Sequence, residues 1–144
     1  MRLGLFGVLV LGLVPALSAV DAQPRQQEIL GPGLYVYQTR ITEASCSDAT
    51  RTGHVDSFVA AINGVPRSPT MEMMLTNSEH WKEWSITVHA NGLIVGQARV
   101  RNRSARFEVR RNGSRFTGTG HREYRSNGSP CRIEFDALLR RIDA

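Results

Sequence analysis

No apolar run in this chain is long enough to cross a bilayer, which takes about 20 residues as a helix. Cysteine is nearly missing: only Cys46 and Cys131 occur. There is no Gly-x-Ser-x-Gly elbow and no His-Glu-x-x-His pair, so neither hydrolase chemistry is supported. His54, His80, His89 and His121 show no metal-ligand spacing. Met71-Glu72-Met73-Met74 beside His80 offers soft thioethers of the kind that favour Cu(I), but methionines alternating along a strand read as core filler. No metal and no cofactor are expected, and no enzyme activity. Lysine is almost absent too. Lys82 stands alone among 18 basic residues, a skew that a GC-rich genome explains more simply than selection for bidentate anion contacts.

The apolar segment that does occur is at the start. Arg2 gives a positive beginning, Leu3 to Val14 is an apolar run, Pro15 breaks it, and Val20-Asp21-Ala22 supplies small residues for cleavage. Residues 1–22 are expected to be a signal peptide. Export implies a periplasmic or extracellular location. With no Cys after the apolar run, a lipoprotein anchor is not expected. Residues 23–33, polar with Pro24, Gly31 and Pro32, read as a flexible leader, and 34–144 as one domain with one modest core. In an oxidising compartment an isolated cysteine pair usually bonds, so Cys46 and Cys131 are expected to form a disulfide.

The domain reads as β throughout. Tyr35, Tyr37, Thr39 and Ile41 share one face of a first strand. Val55 to Ile62 fits a helix or a strand, with its neighbours favouring the strand. Met71, Met73 and Leu75 alternate, as do Trp84, Ile86 and Val88. Around Ala90-Asn91-Gly92, a three-residue turn with left-handed Gly92 pairs Val88 with Ile94 and keeps one face apolar. At Asn112-Gly113 a two-residue turn would pair Val109 with Phe116 and Phe107 with Gly118. The last strand places Cys131, Ile133, Phe135 and Ala137 on the apolar side. Gly96, Gly118 and Gly120 face inward, where they permit bending or close approach. A small antiparallel meander barrel or sandwich of about six to eight strands follows.

These features resemble the small exported β-barrel proteins of unknown function common in Gram-negative bacteria. The residues that carry the likeness are the signal peptide, the early Cys46, Trp84-x-Ile86-x-Val88, Phe116-Thr117-Gly118-Thr119-Gly120 and Cys131-x-Ile133-x-Phe135. The resemblance implies a periplasmic or secreted location and supplies no active site. Periplasmic lysozyme inhibitors are similar in size and barrel architecture only.

Charge is local. Residues 23–98 hold five cations and seven anions, whereas 99–125 hold nine arginines against Glu108 and Glu123. Alternation puts Arg99, Arg101 and Arg103 on the face opposite Val100, and Arg106 and Arg110 opposite Phe107 and Val109. The expected hairpin also sets Arg110 across from Arg115, and like charges directly opposite destabilise a sheet. Arg99, Arg101, Arg106, Arg110 and Arg115 are therefore the candidate anion-binding residues, with solvated, salt-screened surface as the plainer reading. Trp81 is offset from the Trp84 strand and suits a rim. The expected function is a non-enzymatic exported binding module whose basic hairpin face meets an anionic envelope component or an acidic protein surface. The alternatives are an envelope structural or stress protein without a specific ligand, and a periplasmic enzyme inhibitor. Asn102, Asn112 and Asn127 each begin an Asn-x-Ser/Thr triplet, which matters only in a eukaryotic secretory pathway.

Overall fold

The computed structural model describes residues 30–46 and 51–143, so the expected signal peptide and most of the expected leader lie outside the described residues. Eight strands follow in chain order: β1 (Gly33–Ala44), β2 (Val55–Asn63), β3 (Thr70–Leu75), β4 (Glu83–Val88), β5 (Ile94–Val100), β6 (Arg103–Asn112), β7 (Arg115–Ser126) and β8 (Ser129–Arg141). Each pairs antiparallel with the next, and β8 pairs with β1, which closes the barrel. Among the described residues there is no helix.

Val55–Asn63 is a strand, and burial shows why. Ala60 and Ile62 point inward with half-buried Phe58, while Val55 and Val59 are exposed. Alternation at period 2 therefore wins over helical spacing. The inward set expected from the sequence is buried: Tyr35, Tyr37, Thr39, Ile41, Met71, Met73, Leu75, Trp84, Ile86, Ile133, Phe135 and Ala137. At the centre Tyr37, Trp84 and Phe107 pack ring on ring, with centroids 5.3–5.7 Å apart. Gly96 lies directly under the Phe107 ring, and Gly118 lies against the Glu108 carbonyl. A Cβ at either position would overlap its neighbour, so Gly96 makes room for the Phe107 ring and Gly118 lets the β6 backbone approach closely.

The turns set the register. His89 and Leu93 bracket the Ala90-Asn91-Gly92 loop, Gly92 has φ 86°, and Val88 stands opposite Ile94 as expected. Asn127 and Gly128 both have positive φ between paired Ser126 and Ser129, the geometry of a type I′ turn. The β6–β7 turn differs from expectation. Asn112 pairs with Arg115, leaving Gly113-Ser114 as the two central residues, with Gly113 at φ 65°. Val109 thus faces Gly118, not Phe116, and Phe107 faces Gly120. Glycine at the first central position suits a type II′ turn, and this moves the ladder by two residues while keeping every face. Arg110 consequently faces Thr117. Arg115 instead faces Arg140 of β8.

The barrel has a closed floor and an open mouth. At the floor Leu30 is buried in the core, so the fold begins before the residue 34 boundary and takes in the end of the expected leader. The Tyr35 hydroxyl donates to the Gly31 carbonyl (2.8 Å), and Arg141 donates to the Pro32 carbonyl (2.9 Å). The mouth carries the β1–β2, β3–β4, β5–β6 and β7–β8 connections. Its walls are uneven, because β1, β7 and β8 run 12, 12 and 13 residues while β3 and β4 run six each. Cys46 and Cys131 are bonded at the high wall, with Cα atoms 4.7 Å apart, tying the end of β1 to the start of β8. Ile41, Cys131 and Ile133 form a small second core there.

Candidate functional site at the barrel mouth

Two-residue turns reset which side chains face in. Val100 pairs with Arg103 across the Arg101-Asn102 turn, and Arg99 pairs with Ser104. Arg103 therefore shares the inner face of Ala105 and Phe107, whereas Arg99 shares the outer face of Arg106 and Glu108. Arg101 is the turn itself, at φ 53°. The expectation that Arg99, Arg101 and Arg103 line one outer face is thus corrected: only Arg99 does. On β7, Phe116, Gly118, Gly120, Arg122 and Tyr124 alternate inward, so Arg122 enters the barrel from the strand next to Arg103.

These residues border a cavity of about 750 Å³ at the mouth. Arg103, Arg122, Tyr124 and Arg125 supply the β6–β7 side. Arg51 and His54 come from the β1–β2 connection, Asp56 from the start of β2, and His80 and Trp81 from the β3–β4 connection. Ile41 and Ile133 form the apolar back wall. Among the described residues four guanidinium groups thus meet one carboxylate, and that carboxylate is already engaged: His54 Nε2 lies 3.0 Å from Asp56 Oδ1.

Arg103 and Arg122 have no carboxylate partner among the described residues. Each guanidinium lies over a ring instead, Arg103 on Tyr124 at 5.9 Å and Arg122 on Phe135 at 5.6 Å. Cation–π contact supplies part of what a counter-ion would. The Arg122 Nε is nevertheless buried without a hydrogen-bond partner. An arginine cannot shed its charge to relieve this. Below it, the Tyr37 hydroxyl and Thr39 Oγ1 are also buried and unpartnered. Burial pushes the Tyr37 phenol far above its ordinary value, and the nearby Arg122 charge opposes that only in part, so the phenol stays a neutral donor. The Tyr124 hydroxyl reaches the disulfide, 3.8 Å from Cys46 Sγ.

The outer arginines are dispersed. Arg106 is paired with Glu108 at 2.6 Å, and Arg110 donates to the Asn91 carbonyl at 3.0 Å. Arg115 lies near the floor end beside Arg140. A shallow groove of about 710 Å³ on the outer wall includes Arg99 and Arg106, but Glu72 and Glu83 border it too, so its charges balance. Of the expected candidates, none lines the mouth cavity. Trp81 does occupy the rim position expected of it, while Trp84, Tyr35 and Tyr37 are core. Met71 and Met73 face the core and Met74 faces out, so the three thioethers do not converge. Among the described residues no cluster of three or more His, Cys, Asp or Glu side chains could hold a metal ion, and no helix is long and apolar enough to cross a membrane.

Comparison of the chain with protein-family models, with curated proteins and with solved structures returns no match. The functional reading therefore rests on the geometry of the mouth.

Proposed function

We propose that the protein is an exported, non-enzymatic binding module that takes an anionic partner at its arginine-lined mouth. The single observation that carries this is the pair Arg103 and Arg122, two inward guanidinium groups without a carboxylate partner among the described residues. A partly buried cation is costly unless it is paired, and an incoming anion is the partner this barrel wall does not provide. The signal-type N-terminus and the bonded cysteine pair support an extracytoplasmic setting. In that setting the partner is an anionic envelope component or an acidic protein surface.

The test is binding of the mature, oxidised protein to lipopolysaccharide, heparin and inorganic phosphate over a range of salt. Affinity is expected to fall as salt rises, because neutralised anions release counterions and exposed charges are screened. Replacing Arg103 and Arg122 with Gln should abolish binding, while replacing Arg99, Arg106, Arg110 and Arg115 should leave it largely intact. The reverse pattern would move the site to the outer face.

A further inference from the structure

We propose that the mouth is a phosphomonoester site that prefers a phosphate carried on an apolar or aromatic body. This rests on the anion-binding reading above and names the ligand class for the same site. Ala105 stands opposite Arg122, so Arg103 is its diagonal neighbour across the β6–β7 ladder. Diagonal positions in an antiparallel pair lie about 7–8 Å apart, close enough for two guanidinium forks to converge on one group. Two cations without a carboxylate partner among the described residues call for a dianion. A phosphomonoester carries a charge of about −1.5 to −2 at neutral pH and three strong acceptor oxygens. A carboxylate or a sulfate ester carries one charge and would leave the second cation uncompensated. Arginine is also the side chain whose planar fork matches phosphate geometry.

The rest of the cavity argues against bare orthophosphate as the preferred ligand. Ile41 and Ile133 are buried in the back wall, and Trp81 and Tyr124 present half-buried rings. A volume of about 750 Å³ greatly exceeds what one phosphate fills and lies in the range of pockets for drug-sized ligands. These surfaces contribute only when the ligand carries apolar area to bury against them. Such a phosphate could sit on a membrane lipid or on a soluble metabolite, and the chemistry at the two arginines is the same.

The experiment is calorimetric titration of the mature, disulfide-bonded protein at pH 7.5 with phenyl phosphate, phenyl sulfate and inorganic phosphate. Phenyl phosphate is expected to bind at least tenfold more tightly than either of the others. Arg103→Gln, at the rim, should weaken it at least tenfold, and Arg122→Lys, which keeps the buried charge but loses the fork, should do the same with an unchanged near-UV spectrum. Vesicles with phosphatidic acid, compared with vesicles of phosphatidylglycerol, identify the source. Arg122-dependent capture of the former alone points to a lipid, and no capture beside tight phenyl phosphate binding points to a soluble ligand. Equal affinity for phenyl phosphate and phenyl sulfate, abolished by Arg103→Gln, would overturn the phosphomonoester assignment and leave the anion-binding mouth standing. Absence of binding by all three anions would overturn both.

Discussion

Arg103 and Tyr124 meet on the inner face of the barrel, the guanidinium 5.9 Å from the ring centroid, and the Tyr124 hydroxyl in turn lies 3.8 Å from the sulfur of Cys46. The contact joins the basic mouth to the only covalent brace of the fold. What the disulfide holds is thus the wall against which Arg103 and Tyr124 pack.

Reduction should therefore affect both stability and binding. Cys46 and Cys131 are 85 residues apart in sequence, and the chain-entropy treatment assigns a loop of that size about 4–5 kcal/mol before any native strain is subtracted. The melting temperature is expected to fall on reduction. The native oxidised protein should expose no alkylatable thiol, which mass spectrometry after iodoacetamide treatment checks directly.

Tyr37→Phe tests the orphan hydroxyl. A buried, unpartnered hydroxyl costs about 1–3 kcal/mol relative to a satisfied one, so its removal should leave the unliganded protein equally or more stable in urea. The pH dependence has a definite sign. The unfolded phenol ionises near its ordinary value of 10.0, whereas the folded one is held protonated well above it. The folded state then binds the extra proton, and stability falls as pH rises past about 10. Tyr37→Phe should remove that part of the alkaline loss. An alkaline midpoint identical in the two proteins would contradict the buried assignment.

Asp143 gives the opposite sign at the floor. A hydrogen bond with the Leu34 backbone, and then the Arg141 guanidinium, hold its carboxyl below the usual carboxylate range. Its contribution is complete above the unfolded value and is lost as pH falls through the lower folded one. Asp143→Asn should lower stability at neutral pH and flatten the acid limb, so that urea midpoints of the two proteins differ at pH 7 and converge at low pH.

The like-charged pair Arg115 and Arg140 predicts a gain. The two stand directly opposite one another on β7 and β8, both exposed. Arg140→Glu replaces repulsion with attraction, worth roughly 0.2–1 kcal/mol for a cross-strand pair. A rise in the urea midpoint without a change in slope checks it.

The sequence made most of this barrel legible because period-2 alternation is strong in β1, β3, β4 and β8, where Tyr35 to Ile41 and Cys131 to Ala137 read inward without interruption. The Gly92 turn was legible for the same reason, since only one register keeps Val88 and Ile94 together. The Gly113 turn was not. Two registers two residues apart preserve every face, so polarity could not choose between Asn112-Gly113 and Gly113-Ser114. The candidate site was largely missed. Odd-numbered alternation carried through Arg99, Arg101 and Arg103 ignored the turn at Arg101-Asn102, which sends Arg103 inward. Arg122 was in reach. It continues the inward series from Gly118 and Gly120, but an arginine at an inward position looks like an error until the mouth is seen to be open.

The central claim, that anions bind at the mouth rather than on the hairpin surface, is tested most directly by following backbone amide and arginine Nε–H resonances during titration with phenyl phosphate. The account predicts saturable shifts at Arg103, Arg122, Tyr124 and the Trp81 indole, with Arg99, Arg106, Arg110 and Arg115 unmoved. Shifts confined to those four outer arginines, with Arg122 unchanged at saturation, would contradict it.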